Sequence, residues 1–257
     1  MEAEQYALMA RVEGRHWWYV GMRRLAAALL TGAAAPGSAL RVLDAGCGTG
    51  GTTAWLRQFG LVTGVDVAAE AVPFWRQRGL RHMVRGSVMA LPFADASFDL
   101  VTCFDVLYHR QVQDEAVALH EFWRVLRPGG RVLLRVPAHD WLRGAHDAAV
   151  HTRRRYTRDE VVAAVRAAGF VVVMATYANC FLFPLALLKR WSERWRGAAQ
   201  EEMQLPPAPL NTLLTAILGV EARLVPSWPL PWGLSVFVLG RKPEAGGCPA
   251  SLPVGTP

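Results

Sequence analysis

Between Asp44 and Gly51 the chain reads Asp-Ala-Gly-Cys-Gly-Thr-Gly-Gly, directly after the aliphatic run Arg41-Val42-Leu43. Glycines at 46, 48 and 50 permit a tight strand-to-helix turn and let a ligand approach bare backbone N–H groups. A nucleotide-type ligand is implied. Gly46, Gly48 and Gly51 satisfy G-x-G-x-x-G, and Asp66 lies near the distance of a ribose-binding acid, the pattern of a nicotinamide dinucleotide site. Asp44 argues for a different ligand. A carboxylate beside the loop repels a pyrophosphate but suits the ammonium and sulfonium of S-adenosylmethionine. The methyl donor is the preferred reading. An NAD-linked oxidoreductase and a non-catalytic S-adenosylmethionine-binding module are the alternatives.

A second group of residues suits an acceptor. Methyl transfer from a sulfonium is an in-line displacement, so alignment and water exclusion matter most, and a base is required only for a neutral hydroxyl or amine. Asp147 and His151 are four apart, so on a helix they share a face and form an oriented imidazole base; His109 is a second candidate. Arg153-Arg154-Arg155 offers guanidinium forks to a phosphate, or else forms a solvated basic turn. His139, His146 and His151 lack a Cys or fourth His at ligand spacing, so no metal site is expected.

These residues must be carried by a scaffold, and from Leu40 onward short aliphatic runs alternate with helix-like segments, the pattern of a parallel sheet with helices on both faces. Strands are predicted at 41–44, 61–66, 98–103, 131–136, 170–176 and 235–240. A helix before the fourth of these is expected to stop at Pro128-Gly129-Gly130, and Thr157 with Glu160 forms a capping box for a helix ending at Gly169. In an open parallel sheet ligands sit outside the carboxyl ends of the strands, which places the glycine loop, His109 and the 138–156 loop around one crevice. The expected organisation is one domain over 1–242. A helical arm or lid spans 1–35, a cofactor-binding core 36–177, an apolar helical insertion 178–234 and a last strand 235–242, followed by an unstructured tail, 243–257.

Composition bounds the rest. Of 257 residues 52% are hydrophobic and 19% charged, which excludes disorder for most of the chain. Four scattered cysteines without a C-x-x-C pair fit a reducing cytoplasm, and Met1 to Arg15 lacks the apolar core of a signal peptide. The apolar run Tyr177 to Leu188, broken by Asn179 and Pro184, is too short to span a bilayer. Phe181 to Leu188, followed by Lys189-Arg190-Trp191 and Arg194-Trp195-Arg196, resembles a helix lying on the inner membrane surface; a lid core or homodimer face is the preferred reading. The formal charge of +7 leaves an anionic partner open.

Val42-Leu43-Asp44-Ala45-Gly46-Cys47-Gly48-Thr49-Gly50 resembles motif I of class I S-adenosylmethionine-dependent methyltransferases of the type 11 kind, and Gly64-Val65-Asp66 resembles the acidic end of their second strand. Gly86-Ser87-Val88, Leu91-Pro92-Phe93, Phe98-Asp99-Leu100-Val101 and Val125-Leu126-Arg127-Pro128-Gly129-Gly130 continue the likeness in the family's order, from about Leu40 to Pro137. The resemblance implies a doubly wound, seven-stranded, mostly parallel Rossmann-like α/β sheet. It also implies roles: Gly46, Gly48 and Gly50 beneath the methionine part, Asp66 at both ribose hydroxyls, Ser87 and Val88 beside the adenine, and Cys103 and Phe104 closing the site, with Asp44 and Val67 further cofactor-binding residues and Cys47 a small filler beside the cofactor. Ser87 departs from the family's aspartate and would bond the adenine amine weakly or not at all. Glu13 to Arg24 and His146 to Tyr156 are similar to a bacterial subgroup with sugar, cell-surface-glycan or lipid-linked substrates, which makes Trp18 and Arg23 candidate lid residues and O-methylation the expected reaction. Nucleic acid is disfavoured, because neither an Asn-Pro-Pro-Tyr-type loop nor a Pro-Cys nucleophile is present.

Overall fold

The structure, a computed structural model, describes residues 3–31, 34–144, 147, 150–188 and 204–244. Aliphatic residues in unbroken runs must be covered on both sides, and the strands accordingly form the interior of a three-layer fold. The strands are β1 (Leu40–Ala45), β2 (Gly60–Asp66), β3 (Met83–Arg85), β4 (Phe98–Phe104), β5 (Leu126–Pro137), β6 (Val171–Ala178) and β7 (Ser235–Arg241). They pair in the order β3-β2-β1-β4-β5-β7-β6, and β7 runs antiparallel to both of its neighbours. The strand order reverses beside β1, which opens a crevice at the carboxyl ends of β1 and β4.

Alternation along each strand divides the core in two. Leu43, Val65, Val101, Cys103 and Leu134 face Leu119 and Phe122 of α5 (Glu115–Val125) and Val161 and Val165 of α6 (Arg158–Ala167). Val42, Val62, Leu100, Leu133 and Phe237 face the opposite side. There they meet Met22, Leu25 and Leu29 of α2 (Trp17–Leu30) and Leu218 and Ala222 of α7 (Ala208–Leu224). The remaining helices used below are α1 (Ala3–Val12), α3 (Gly51–Leu56) and α4 (Val72–Gln77).

The Thr157 capping box forms as expected, with Thr157 Oγ1 accepting from the Glu160 amide at 3.3 Å and Glu160 Oε2 accepting from the Thr157 amide at 2.6 Å. The helix leaves through Gly169 at φ +92°. Pro128-Gly129-Gly130 lies just past the end of α5, inside β5. The helix ends at Val125, Leu126 already pairs with Phe98, and the register then jumps to Leu100 opposite Arg131, so 127–130 is a bulge within β5.

Between β6 and β7 the chain lays α7 along α2. A methyl group at Gly21 would stand 2.2 Å from Leu218 Cδ1, so the two helices meet where the arm has no side chain. Asn211 accepts from the Trp17 amide at 2.8 Å and donates to the Arg15 carbonyl at 2.9 Å, capping α2 from a partner helix. Buried Glu221 accepts the Asn179 and Phe181 amides, each at 2.7 Å, which ties α7 to the end of β6. His146, 189–196 and the tail from 245 onward lie outside the described residues. Among the described residues no helix is long and apolar enough to cross a membrane.

Candidate cofactor and acceptor cavity

At the carboxyl ends of β1, β2, β4 and β5 lies a cavity of about 340 Å³, covered by α1 and α2. That volume is within the usual range for a small-molecule site. One wall is the glycine turn. Gly46 and Cys47 donate to the Val65 carbonyl at 2.7 and 3.0 Å, which folds the loop back over β2. Gly46 sits at φ +79°, and a Cβ there would meet Val106 Cγ2 at 2.1 Å, so only glycine fits. Gly48 turns its amide to Asp66 Oδ2 at 2.8 Å, while Oδ1 accepts from the Ala68 amide at 2.9 Å. Asp66 thus presents a fixed carboxylate with lone pairs remaining on both oxygens.

Asp44, 2% exposed, accepts from the Thr53 hydroxyl at 2.7 Å and the Thr102 hydroxyl at 3.1 Å. Burial pushes its pKa up to about 6 against the pull of those two hydroxyls. Cys47 is on the wall, and burial raises its thiol well above the ordinary range, which makes it a small neutral filler. Val67, Ser87 and Val88 line the same end, where the Ser87 hydroxyl accepts from the Met89 amide at 3.1 Å.

Two residues expected beside the cofactor stand elsewhere. Gly50 caps α3 at φ +83° and faces Leu80 and Trp75, so it shapes the turn without reaching the cavity. Cys103 is fully buried in the core beneath α5, because successive strand residues point to opposite faces; its neighbour Phe104 is the one on the wall.

The opposite wall comes from the arm and β5. Arg135 and Asp105 form a close ion pair, with the guanidinium 4.7 Å from the Trp18 ring and 5.1 Å from the Phe104 ring. Asp105 holds a left-handed φ of +58°, a conformation aspartate tolerates better than most residues. Glu13, 4% exposed, accepts from Thr49 Oγ1 and Arg78 Nη2, each at 2.5 Å, latching the α1–α2 junction to the glycine turn. Burial raises its pKa despite both partners. Trp18, Tyr19 and Arg23 of α2 and Tyr108 complete this side, and burial holds both tyrosines protonated.

Beyond the residues that the sequence singles out, Glu13, Tyr19 and Arg135 stand on the wall, as do Asp105 and Tyr108 of the loop that leads from β4 to His109. Arg135 did leave a signal, as a charge inside the buried run Leu133-Leu134-Arg135-Val136, where an ion needs a partner. Glu13 left none, since both of its partners are distant in sequence.

The Asp147–His151 helical face does not form. His151 adopts a left-handed φ of +53°, and both Asp147 oxygens are taken by Arg155, at 2.8 Å from Nε and 3.0 Å from Nη2. The imidazole on the cavity wall is His109, packed edge-on against the His151 ring at 5.9 Å. Its Nδ1 accepts from the Gln111 amide at 3.2 Å, and burial pushes its pKa down to about 4, so it is neutral with its proton on Nε2. The arginine triplet is likewise committed: Arg153 and Arg154 to Glu115, and Arg155 to Asp147. Among the described residues no three His, Cys, Asp or Glu side chains are placed to hold a metal.

Comparison with known proteins agrees with this geometry. Residues 43–134 match the family described as "Methyltransferase domain". The chain is 43% identical over 102 residues to a malonyl-[acyl-carrier protein] O-methyltransferase of Erwinia pyrifoliae, covering 39% of this chain and 38% of the relative. It is 41% identical over 140 residues to a demethylmenaquinone methyltransferase of Roseiflexus, covering 49% of this chain and 56% of the relative. It therefore spans about half the length or less of these curated relatives. In fold it is similar to a chain solved in a complex between the Haloferax volcanii Trm112 methyltransferase activator and a methyltransferase, with a TM-score of 0.60, 22% identity and 96% of both chains covered. The matched residues carry the glycine turn, Asp66, Ser87 and Phe104 of the cavity wall.

Proposed function

We propose that this chain transfers a methyl group from S-adenosylmethionine to an oxygen of a small-molecule, sugar or lipid-linked acceptor. The observation that carries the reading is the pair of carboxylates flanking Gly46 and Gly48. Asp66 is fixed by two backbone amides with lone pairs free for vicinal hydroxyls, and Asp44 is buried where a cationic donor would neutralise it. When bound, the donor supplies an electrophilic methyl on a positively charged sulfur. Val67, Ser87 and Val88 then flank the adenosine end, Phe104 and the Trp18 roof exclude water, and His109 stands on the wall as a neutral imidazole. O-methylation is supported by the name of the first relative above. We place the protein in the cytoplasm and divide it at residues 35, 177 and 234. Exposed Phe181, Leu185 and Leu188 support a homodimer face or a peripheral contact with the inner membrane.

S-Adenosylhomocysteine should raise the melting temperature, by an amount equivalent to about 2.7 kcal/mol at a hundredfold excess over Kd, and NADH should leave it unchanged. Asp66→Ala should weaken calorimetric binding of S-adenosylhomocysteine by about 2 to 4 kcal/mol in a folded protein. A shift with NADH alone, or full affinity in that variant, would refute the assignment.

A further inference from the structure

Among the described residues six charged side chains line the cavity, and five have partners. Glu13 is held by Thr49 and Arg78, Asp44 by Thr53 and Thr102, Asp66 by the Gly48 and Ala68 amides, and Asp105 and Arg135 by each other. The sixth is Arg23 of α2. Among the described residues its guanidinium makes neither a hydrogen bond nor an ion pair. It is half-buried, flanked in its own helix by Trp18 and Tyr19 on the wall, and in the field of Arg135 as well as Glu13. Burial pushes its pKa down, so the fold holds a desolvated cation whose five donors have no acceptor. A desolvated guanidinium on the covering helix with no acceptor among the described residues is complementary to an anion.

We propose that Arg23 is a carboxylate clamp for the acceptor, so that the protein selects carboxylic acids over their neutral analogues. The inference rests on the reading of the glycine-turn wall as the donor site. Asp66, Asp44 and the Gly46–Gly48 turn meet the ribose and the cationic end of the donor there, and Arg23 reaches the cavity from the covering helix instead. A guanidinium fork matches a carboxylate in two parallel hydrogen bonds, and Trp18 and Tyr19 beside it offer ring faces and edges to the rest of an organic acid. The donor also carries a carboxylate, so the test must separate the two sources.

The full chain saturated with S-adenosylhomocysteine would be titrated calorimetrically with benzoate, octanoate and succinate, each against its amide. Binding of S-adenosylhomocysteine and of 5′-methylthioadenosine, which lacks the amino-acid carboxylate, would be measured on the same samples. At least one acid should bind tenfold or more tighter than its amide. Arg23→Gln should bring that ratio to about one while S-adenosylhomocysteine affinity changes less than threefold, and Arg23→Lys should restore part of the preference. Equal binding of every acid and amide, or absence of binding by all of them, overturns the proposal. So does an Arg23→Gln variant that keeps the acid preference but loses tenfold in S-adenosylhomocysteine affinity with 5′-methylthioadenosine unaffected, which assigns the clamp to the donor. Failure of the wild type to bind S-adenosylhomocysteine removes the donor reading itself and the clamp with it.

Discussion

Asp66 and Asp44 on the glycine-turn wall accept mostly from groups nearby in sequence, Ala68 two residues away, Thr53 nine and Gly48 eighteen, with Thr102 of β4, fifty-eight residues on, the exception. On the facing wall, Arg135 is held by Asp105 thirty residues back and by Trp18 of the arm, and Glu13 by Thr49 and Arg78, thirty-six and sixty-five residues on. Apart from Thr102, the first wall is built from backbone amides and hydroxyls that a short motif can encode. The second is assembled from ions drawn from several elements, so its charges depend on the whole fold being in place. Local construction suits a ligand common to many proteins, while non-local construction lets the acceptor side change with the arm and the β5 loop.

The contrast predicts where a lost charge costs most. Asp105→Ala should leave Arg135 buried without its counter-ion, and urea unfolding should show a loss of about 3 to 4 kcal/mol. Adding Arg135→Met should recover most of it, since removing both members of a buried pair is far cheaper than removing one. A single variant as stable as the wild type would show that water entering the cavity, and not Asp105, neutralises the guanidinium.

The glycine-turn wall should respond to pH instead. Asp44 has its folded pKa raised to about 6 from the ordinary value of 3.8, so its contribution to stability is complete below 3.8 and is lost as pH rises through 6. Binding of a cationic donor requires the ionised form and so runs the other way. S-Adenosylmethionine affinity of the folded protein should rise with pH between about 5 and 6.5, by at most tenfold per unit, about 1.4 kcal/mol, and level off above. Asp44→Asn should bind more weakly and without that slope. A flat profile in the wild type would mean that Asp44 never faces the donor's charge.

The same division explains what the sequence could reveal. The turn, β1, β2 and the capped α6 were legible because each rests on local rules: glycine at positive φ, aliphatic runs and Thr157 with Glu160. Glu13 and Arg135 acquire meaning only when distant segments meet. Spacing misplaced Cys103, where strand alternation decides between adjacent residues, and the Asp147–His151 pair, which needed a helix that His151's left-handed backbone does not continue. Pro128-Gly129-Gly130 does mark the end of α5, but these residues are carried as a bulge within β5, which therefore starts earlier than its aliphatic run.

The smallest expected effect lies on the glycine-turn wall itself, and it asks whether every polar group there is addressed to the donor. Ser87 stands at the adenine end, where an aspartate would offer a charged acceptor, yet its hydroxyl already accepts from the Met89 amide and so closes its own turn. A hydroxyl oxygen has a second lone pair, but a neutral acceptor shared with the backbone adds little once the water it displaces is counted. Ser87→Ala should therefore change S-adenosylhomocysteine affinity by no more than about 0.5 kcal/mol, several-fold less than Asp66→Ala. It should cost about as much in stability, through the lost turn bond. A tenfold loss of affinity would place the Ser87 hydroxyl on the adenine and move the specificity for that base from the apolar contact of Val88 to hydrogen bonding. With the expected result, the ribose carboxylate anchors the nucleoside and the adenine is held by shape.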